Sequence, residues 1–270
     1  MKRYFYIDAF RAMLILLVVI GHSVQWLDSD FDANPVFRTI YSFHMAAFMF
    51  VSGYVTWRGE SFAILGKLRH LLVPFFAWWF FGSVLMSGSF DGLLDSSWGL
   101  LRQPDGGLWF LYALAWCQFL LWCICISCKW GRLALPLSVV LAVALLGVEA
   151  LTQCKAYGYH LVAWYFPFFL GGCVFRAYGH KVSLSYGVRL ALVILGLSVW
   201  AVGVCFWHRE HAICVGGVQL PVAISFVYRF IVAWLGAVGF FMLARHMLPE
   251  SGESWFAKAV TRPGRETLGI

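Results

Sequence analysis

The chain has 270 residues, 61% of them hydrophobic and only 12% charged, with a mean hydropathy of +0.78 and a formal net charge of +7. A soluble domain carries about twice that charged fraction, so the composition excludes one. The positive charge lies singly or in pairs at the ends of apolar runs. It forms no basic stripe and no aromatic-basic platform, which argues against a nucleic-acid-binding surface.

Several apolar runs reach the ~20 residues that a membrane-crossing helix needs. Eight spans are expected, at about 8–27, 36–56, 70–87, 108–127, 133–152, 160–177, 188–207 and 221–246. The expected class is an all-α, polytopic transmembrane helix bundle forming a single integral-membrane domain over 1–270. The first run has no small-residue cleavage site and reads as a retained helix.

That first span carries Asp8, Arg11 and His22. Ionisable groups within a span are costly and mark functional sites by default. Arg11 and His22 are eleven residues apart, about three turns plus ~20°, so they share a face and are separated by ~16 Å along the axis. Asp8 stands one turn before Arg11 and can pair with it. The plainer readings are a histidine satisfied by a backbone carbonyl and an arginine that snorkels to the headgroups. The second span, "YSFHMAAFMFVSGY", carries His44 at a depth within a few Å of His22, so the two imidazoles can meet. Ser52 and Gly53 fall near the depth of Arg11, where small residues also serve close helix packing.

A basic group, Arg58, Lys67, Arg69 and His70, follows. It suits nucleotide phosphates, and equally a positive-inside anchor. Asp105, Trp109 and Phe110 precede or open the fourth span, where a sugar can be hydrogen-bonded or stacked; an aromatic belt is the commoner reason for such rings. Glu149, near the end of the fifth span, is a further carboxylate of this kind; a solvated loop charge is the commoner reading of both. Cys117, Cys123, Cys125 and Cys128 lie on an apolar helix without facing CxxC knuckles, and read as buried thiols rather than metal ligands. Cys205 and Cys214 flank a loop and can pair if that side is oxidising. Arg229 lies about eight residues into the last span, where snorkelling is harder, so an inward-facing role, stabilising an anion or bracing the site, is expected; packing against a helix-end carbonyl is the plainer reading. The end, "GRETLGI", reads as a turn into a further apolar helix, with a short natural tail as the alternative.

With the N-terminus in the cytoplasm, fourteen of the 20 basic residues fall on inner segments and four, Arg38, Arg102, Lys155 and Arg209, on outer ones. That bias sets the expected orientation.

The blocks "YIDAFRAMLILLVVIGHS", "FHMAAFMFVSGY", "GLWFLYAL" and "FPFFLGGCVF", in this order on successive spans, resemble the membrane acyltransferase-3 family, in its branch of fucose 4-O-acetylase-like sugar O-acetyltransferases. The resemblance runs from Tyr6 to the end. It implies an acyltransferase that carries an acyl group, usually acetyl, from cytoplasmic acyl-CoA to a carbohydrate hydroxyl, in a bacterial cytoplasmic membrane. It implies that His22 is the catalytic histidine and that Arg11 belongs to the same site. His44 and Arg229 match a second-helix histidine and a late-helix arginine of the family. Ala46 stands where the family commonly has proline, and members usually have about ten spans, which raises the alternative of an inactive truncated enzyme.

Acyl transfer to a hydroxyl needs a base and a stabiliser for the oxyanion. Histidine is the natural base, since its ordinary pKa is near neutral, and His22 either deprotonates the hydroxyl or first takes the acyl group. His44 orients that site, and Arg11 meets a phosphate or carbonyl of the donor. Acyl-CoA is expected as donor substrate, with no bound cofactor and no metal. The rival from another class is a transporter or flippase of sugar-linked substrates. The paired repeats and mid-membrane carboxylate such a protein would favour are not evident.

Overall fold

The computed structural model describes residues 4–59, 63–87, 108–129, 131–179 and 184–248, with single positions 99, 104, 181 and 182. The architecture is all-α and polytopic. Nine α-helices lie among the described residues: α1 Phe5–Leu27, α2 Pro35–Tyr41, α3 His44–Thr56, α4 Ile64–Ser87, α5 Trp109–Ser127, α6 Ala134–Thr152, α7 Tyr159–Tyr178, α8 Tyr186–Val204 and α9 Val222–Met247. A short 3-10 turn, Ala156–Gly158, leads into α7. One two-stranded antiparallel ladder, β1 Cys214–Val215 with β2 Val218–Gln219, tightens the loop between α8 and α9. Gly216 and Gly217, both at positive φ, make its turn.

Among the described residues, seven helices are long and apolar enough to cross a membrane. Their outward faces suit lipid. On α8, Leu192, Ile194, Leu195, Val199 and Val202 are all exposed, an apolar surface that water would penalise and acyl chains would not.

The expected second span, 36–56, is two helices, neither long enough alone to cross. Its break contains no proline. Ser42 Oγ donates to Thr39 O at 2.8 Å and His44 Nδ1 meets Ile40 O at 2.8 Å, while Phe43 N reaches the same carbonyl by a tight i−3 bond. Side chains thus compete for carbonyls that an uninterrupted helix would use. The third expected span also differs at its start: α4 begins at Ile64, so Lys67, Arg69 and His70 lie in its first two turns.

The described chain separates into two compact units, the boundary falling within α3 between Val51 and Ser52 and again at Gly179. In the first, α1 packs on α2 and α9, and α9 on α8. Phe10, Tyr6 and Phe50 meet Phe241 edge-on, and Phe43 stacks on Phe240 beside Trp200. Trp200 Nε1 donates to Ser42 Oγ. In the second unit, α4 packs on α5, α6 on α7, and α5 on α7. Its core is aromatic and thiol-rich, with Phe166, Phe168, Phe169, Cys117, Cys125 and Cys173 fully buried. Gly53 lies so close to α7 that a Cβ there would overlap the carbonyl oxygen of Phe169, and the Cys173 thiol bonds the Gly53 carbonyl. Cys205 and Cys214 are both free.

Candidate active site

Asn34 starts the element that builds the site. Its side chain accepts from Val36 N and Phe37 N, and Pro35 takes the first helical position of α2. Asp28 holds Asn34 in turn, accepting from its Nδ2 at 2.9 Å. The short helix lies close on α1 because position 21 is glycine. A Cβ there would stand 2.7 Å from the Tyr41 ring.

Arg11 projects from the buried face of α1, beside Phe10 and Leu14, and is 5% exposed. It does not snorkel. Among the described residues its Nε and Nη2 find no hydrogen-bond partner, and Asp8 is an opposite charge that acts on it. A buried, incompletely bonded guanidinium is expensive and leaves two donors for an anion.

His22 is exposed near the other end of α1. Its ring stands edge-on to Tyr41, with centroids 6.4 Å apart, and Tyr41 stands edge-on to His44 at 4.9 Å. The two imidazoles do not meet directly; the tyrosine lies between them. Stacking on Phe37 at 3.9 Å and a bond from its hydroxyl to Gln25 Oε1 fix Tyr41. His44 is 3% exposed. A carbonyl can only accept, so Nδ1 of His44 carries its proton toward Ile40 O and Nε2 is the acceptor nitrogen.

A third arm reaches this cluster from the 208–211 turn, which follows α8. The Arg209 guanidinium lies over the Tyr41 ring, 5.3 Å from its centroid. Asp32, 3% exposed, holds that turn. Its carboxylate accepts from the backbone N–H of Arg209 at 2.6 Å, Glu210 at 3.0 Å and His211 at 2.8 Å. His211 Nδ1 approaches the same carboxylate at 2.9 Å. Burial raises the Asp32 pKa, but the three backbone donors and nearby His208 outweigh it and hold the carboxyl below its ordinary value. Asp32, His208 and His211 bring three metal-type donors within 4.8 Å. Oδ2 of Asp32 is already taken by two N–H groups and His211, so the carboxylate serves here as a clamp on the backbone.

Arg229 grips the same turn from its carbonyl side. Its Nε donates to His208 O at 2.8 Å and its Nη2 to His211 O at 3.0 Å. Arg38 does the equivalent for the end of α8, donating to Val204 O, Cys205 O and Trp207 O, where a helix terminus favours a cation.

The other expected residues lie in the second unit. Lys67 is half-buried and feels the like charge of Arg58, while Arg69 is exposed. The Trp109 ring stacks on Tyr165 at 5.2 Å, which covers one of its faces. Asp105 lies outside the described residues. The sequence reading missed Tyr41, Asp32 and Arg209. A tyrosine three residues before His44 is a weak local signal for the first, while the clamp has none, because Asp32 and Arg209 are 177 residues apart.

A family described as "acyltransferase domain" matches residues 4–269. The chain is 30% identical over 226 residues to "Nodulation protein NolL" of Mesorhizobium japonicum, covering 75% of this chain and 56% of that protein. It is 30% identical over 229 residues to the protein of the same name from Sinorhizobium fredii, covering 75% and 57%. The chain therefore spans little more than half the length of these curated relatives. No solved structure matches.

Proposed function

The chain belongs to the acyltransferase domain family, and from that premise we propose that it is a membrane O-acyltransferase moving an acetyl group from acyl-CoA to a carbohydrate hydroxyl. The observation that carries the reading is the buried Arg11 with two unbonded nitrogens, on the helix that also presents His22. A guanidinium left incomplete inside a membrane helix is arranged for an anionic or carbonyl oxygen that arrives with substrate. The donor's phosphates and thioester supply both.

In this reading the N-terminus is cytoplasmic, in a bacterial inner membrane. The donor enters from the Arg11 end of α1, with Arg58, Lys67 and Arg69 as receivers of its nucleotide phosphates. The acceptor comes from the opposite side, where His22 is exposed, and Trp109 and Asp105 are candidates for contact with its sugar. The His22 imidazole takes the proton of the acceptor hydroxyl, and the oxygen attacks the thioester carbonyl. The C–S bond breaks, and the departing thiolate takes the proton from the imidazolium. His44, with Nδ1 committed to Ile40 O, holds Tyr41 and through it the orientation of His22. Arg229 braces the 208–211 turn.

The test is transfer of radiolabelled acetyl from acetyl-CoA to surface polysaccharide in membranes containing the chain. His22→Ala is expected to abolish transfer at unchanged expression, a loss of 100-fold or more being on the order that general-base removal gives. Transfer equal to wild type in that variant would refute the role of His22.

A further inference from the structure

The 208–211 turn is held from both of its backbone faces. The buried Asp32 carboxylate takes three successive N–H groups, and Arg229 takes two carbonyls. Burying a carboxylate to fix four residues of an exposed turn is costly, and three charge-assisted bonds repay that cost only if the turn stays in one place. What the turn places is Arg209. Its peptide N–H is clamped and its guanidinium carbon lies over the Tyr41 ring. Among the described residues nothing accepts a hydrogen bond from that guanidinium, although its side chain is exposed. Tyr41 is the same ring that separates His22 from His44. An arginine fork thus stands over the tyrosine ring that both histidines meet edge-on.

We propose that Arg209 is the anion-recognising arm of this site and selects acceptors that carry a phosphate or carboxylate close to the hydroxyl to be acylated. An arginine whose backbone is clamped and whose guanidinium rests over a ring loses less freedom on binding, and its fork matches the paired oxygens of such groups. That the anion belongs to an acceptor rests on the acyltransferase reading; that Arg209 binds it rests on the geometry alone. The two parts of the device have separate roles. Asp32 and Arg229 are positioning residues, and Arg209 touches substrate.

Equilibrium binding of radiolabelled glucose, glucose 1-phosphate and glucuronate to the detergent-solubilised full chain tests this without catalysis. Wild type is expected to bind one of the two anionic sugars about tenfold or more tightly than glucose, as a charge-assisted bidentate pair allows. Which of them shows the preference identifies phosphate or carboxylate as the group read. Arg209→Gln should lose that preference while leaving glucose binding unchanged, since glucose carries no anion for the guanidinium to meet. Arg209→Lys should keep part of it, charge without fork. Asp32→Asn should weaken it through the released turn. Absence of any anionic preference in wild type, or its full retention in Arg209→Gln, would overturn the proposal. An Arg209-dependent preference in a chain that transfers no acetyl would uphold the anion site and refute the acyltransferase reading.

Discussion

In the proposed reading, Arg11 trades stability for chemistry. A guanidinium that is 5% exposed, with two nitrogens unbonded, lowers the stability of the empty protein. Arg11→Met keeps the length and removes the charge. It is expected to raise stability in detergent by about 1–3 kcal/mol and to eliminate acetyl transfer, both measurable on one preparation by thermal unfolding and the radiolabel assay. Asp32 is the opposite case, a buried charge whose bonds are complete. Asp32→Asn would turn an amide NH2 toward backbone donors that now find a carboxylate oxygen, and should cost about 2–3 kcal/mol. The pH dependence follows from the direction of its shift. A carboxyl held below its ordinary value stabilises the fold fully above the unfolded value of about 3.9, and that contribution is lost as pH falls through the folded value. His208, His211 and Arg229 are the basic groups that face it. Wild type should therefore lose melting temperature below about pH 4 more steeply than Asp32→Asn.

At the scale of elements, the interrupted second span sets where His44 points, and the close approach of Gly53 to α7 organises the second unit. The break at Ser42 and Phe43 places His44 at the start of a helix, where its ring can take Ile40 O and turn an edge to Tyr41. An unbroken helix would have used that carbonyl for its own ladder. Below the break, Gly53 leaves no space for a side chain against the Phe169 carbonyl. The obstacle is backbone rather than a flexible tip, so Gly53→Ala should destabilise by about 3 kcal/mol or more. A melting temperature unchanged from wild type in that variant would contradict the close packing described.

For the whole molecule, the spans are legible in the sequence because lipid imposes length and composition on any helix that crosses it. Five expected spans, those at 108–127, 133–152, 160–177, 188–207 and 221–246, agree with α5 to α9 to within a few residues. The second failed because its apolar content continues through the break, while the cause lies in hydroxyl and imidazole bonds that hydropathy does not register. Arg11 and His22 could be singled out from one helix, since their spacing and their cost in lipid are both local. Whether Arg11 snorkels could not, because the burial of its helix is set by helices far along the chain, such as α9, whose Phe241 meets Tyr6 and Phe10. Asp32 sits in "DSDFDANP", a stretch that reads as solvated turn. Arg209 reads as one of four outer cations. Sequence alone determined the membrane class, the family resemblance and the helix that carries Arg11 and His22, because those rest on composition and on neighbours one or a few turns apart. Tertiary structure alone decided that Tyr41 separates the histidines and that Asp32 and Arg229 hold Arg209 over it, because those contacts join segments that only folding brings together.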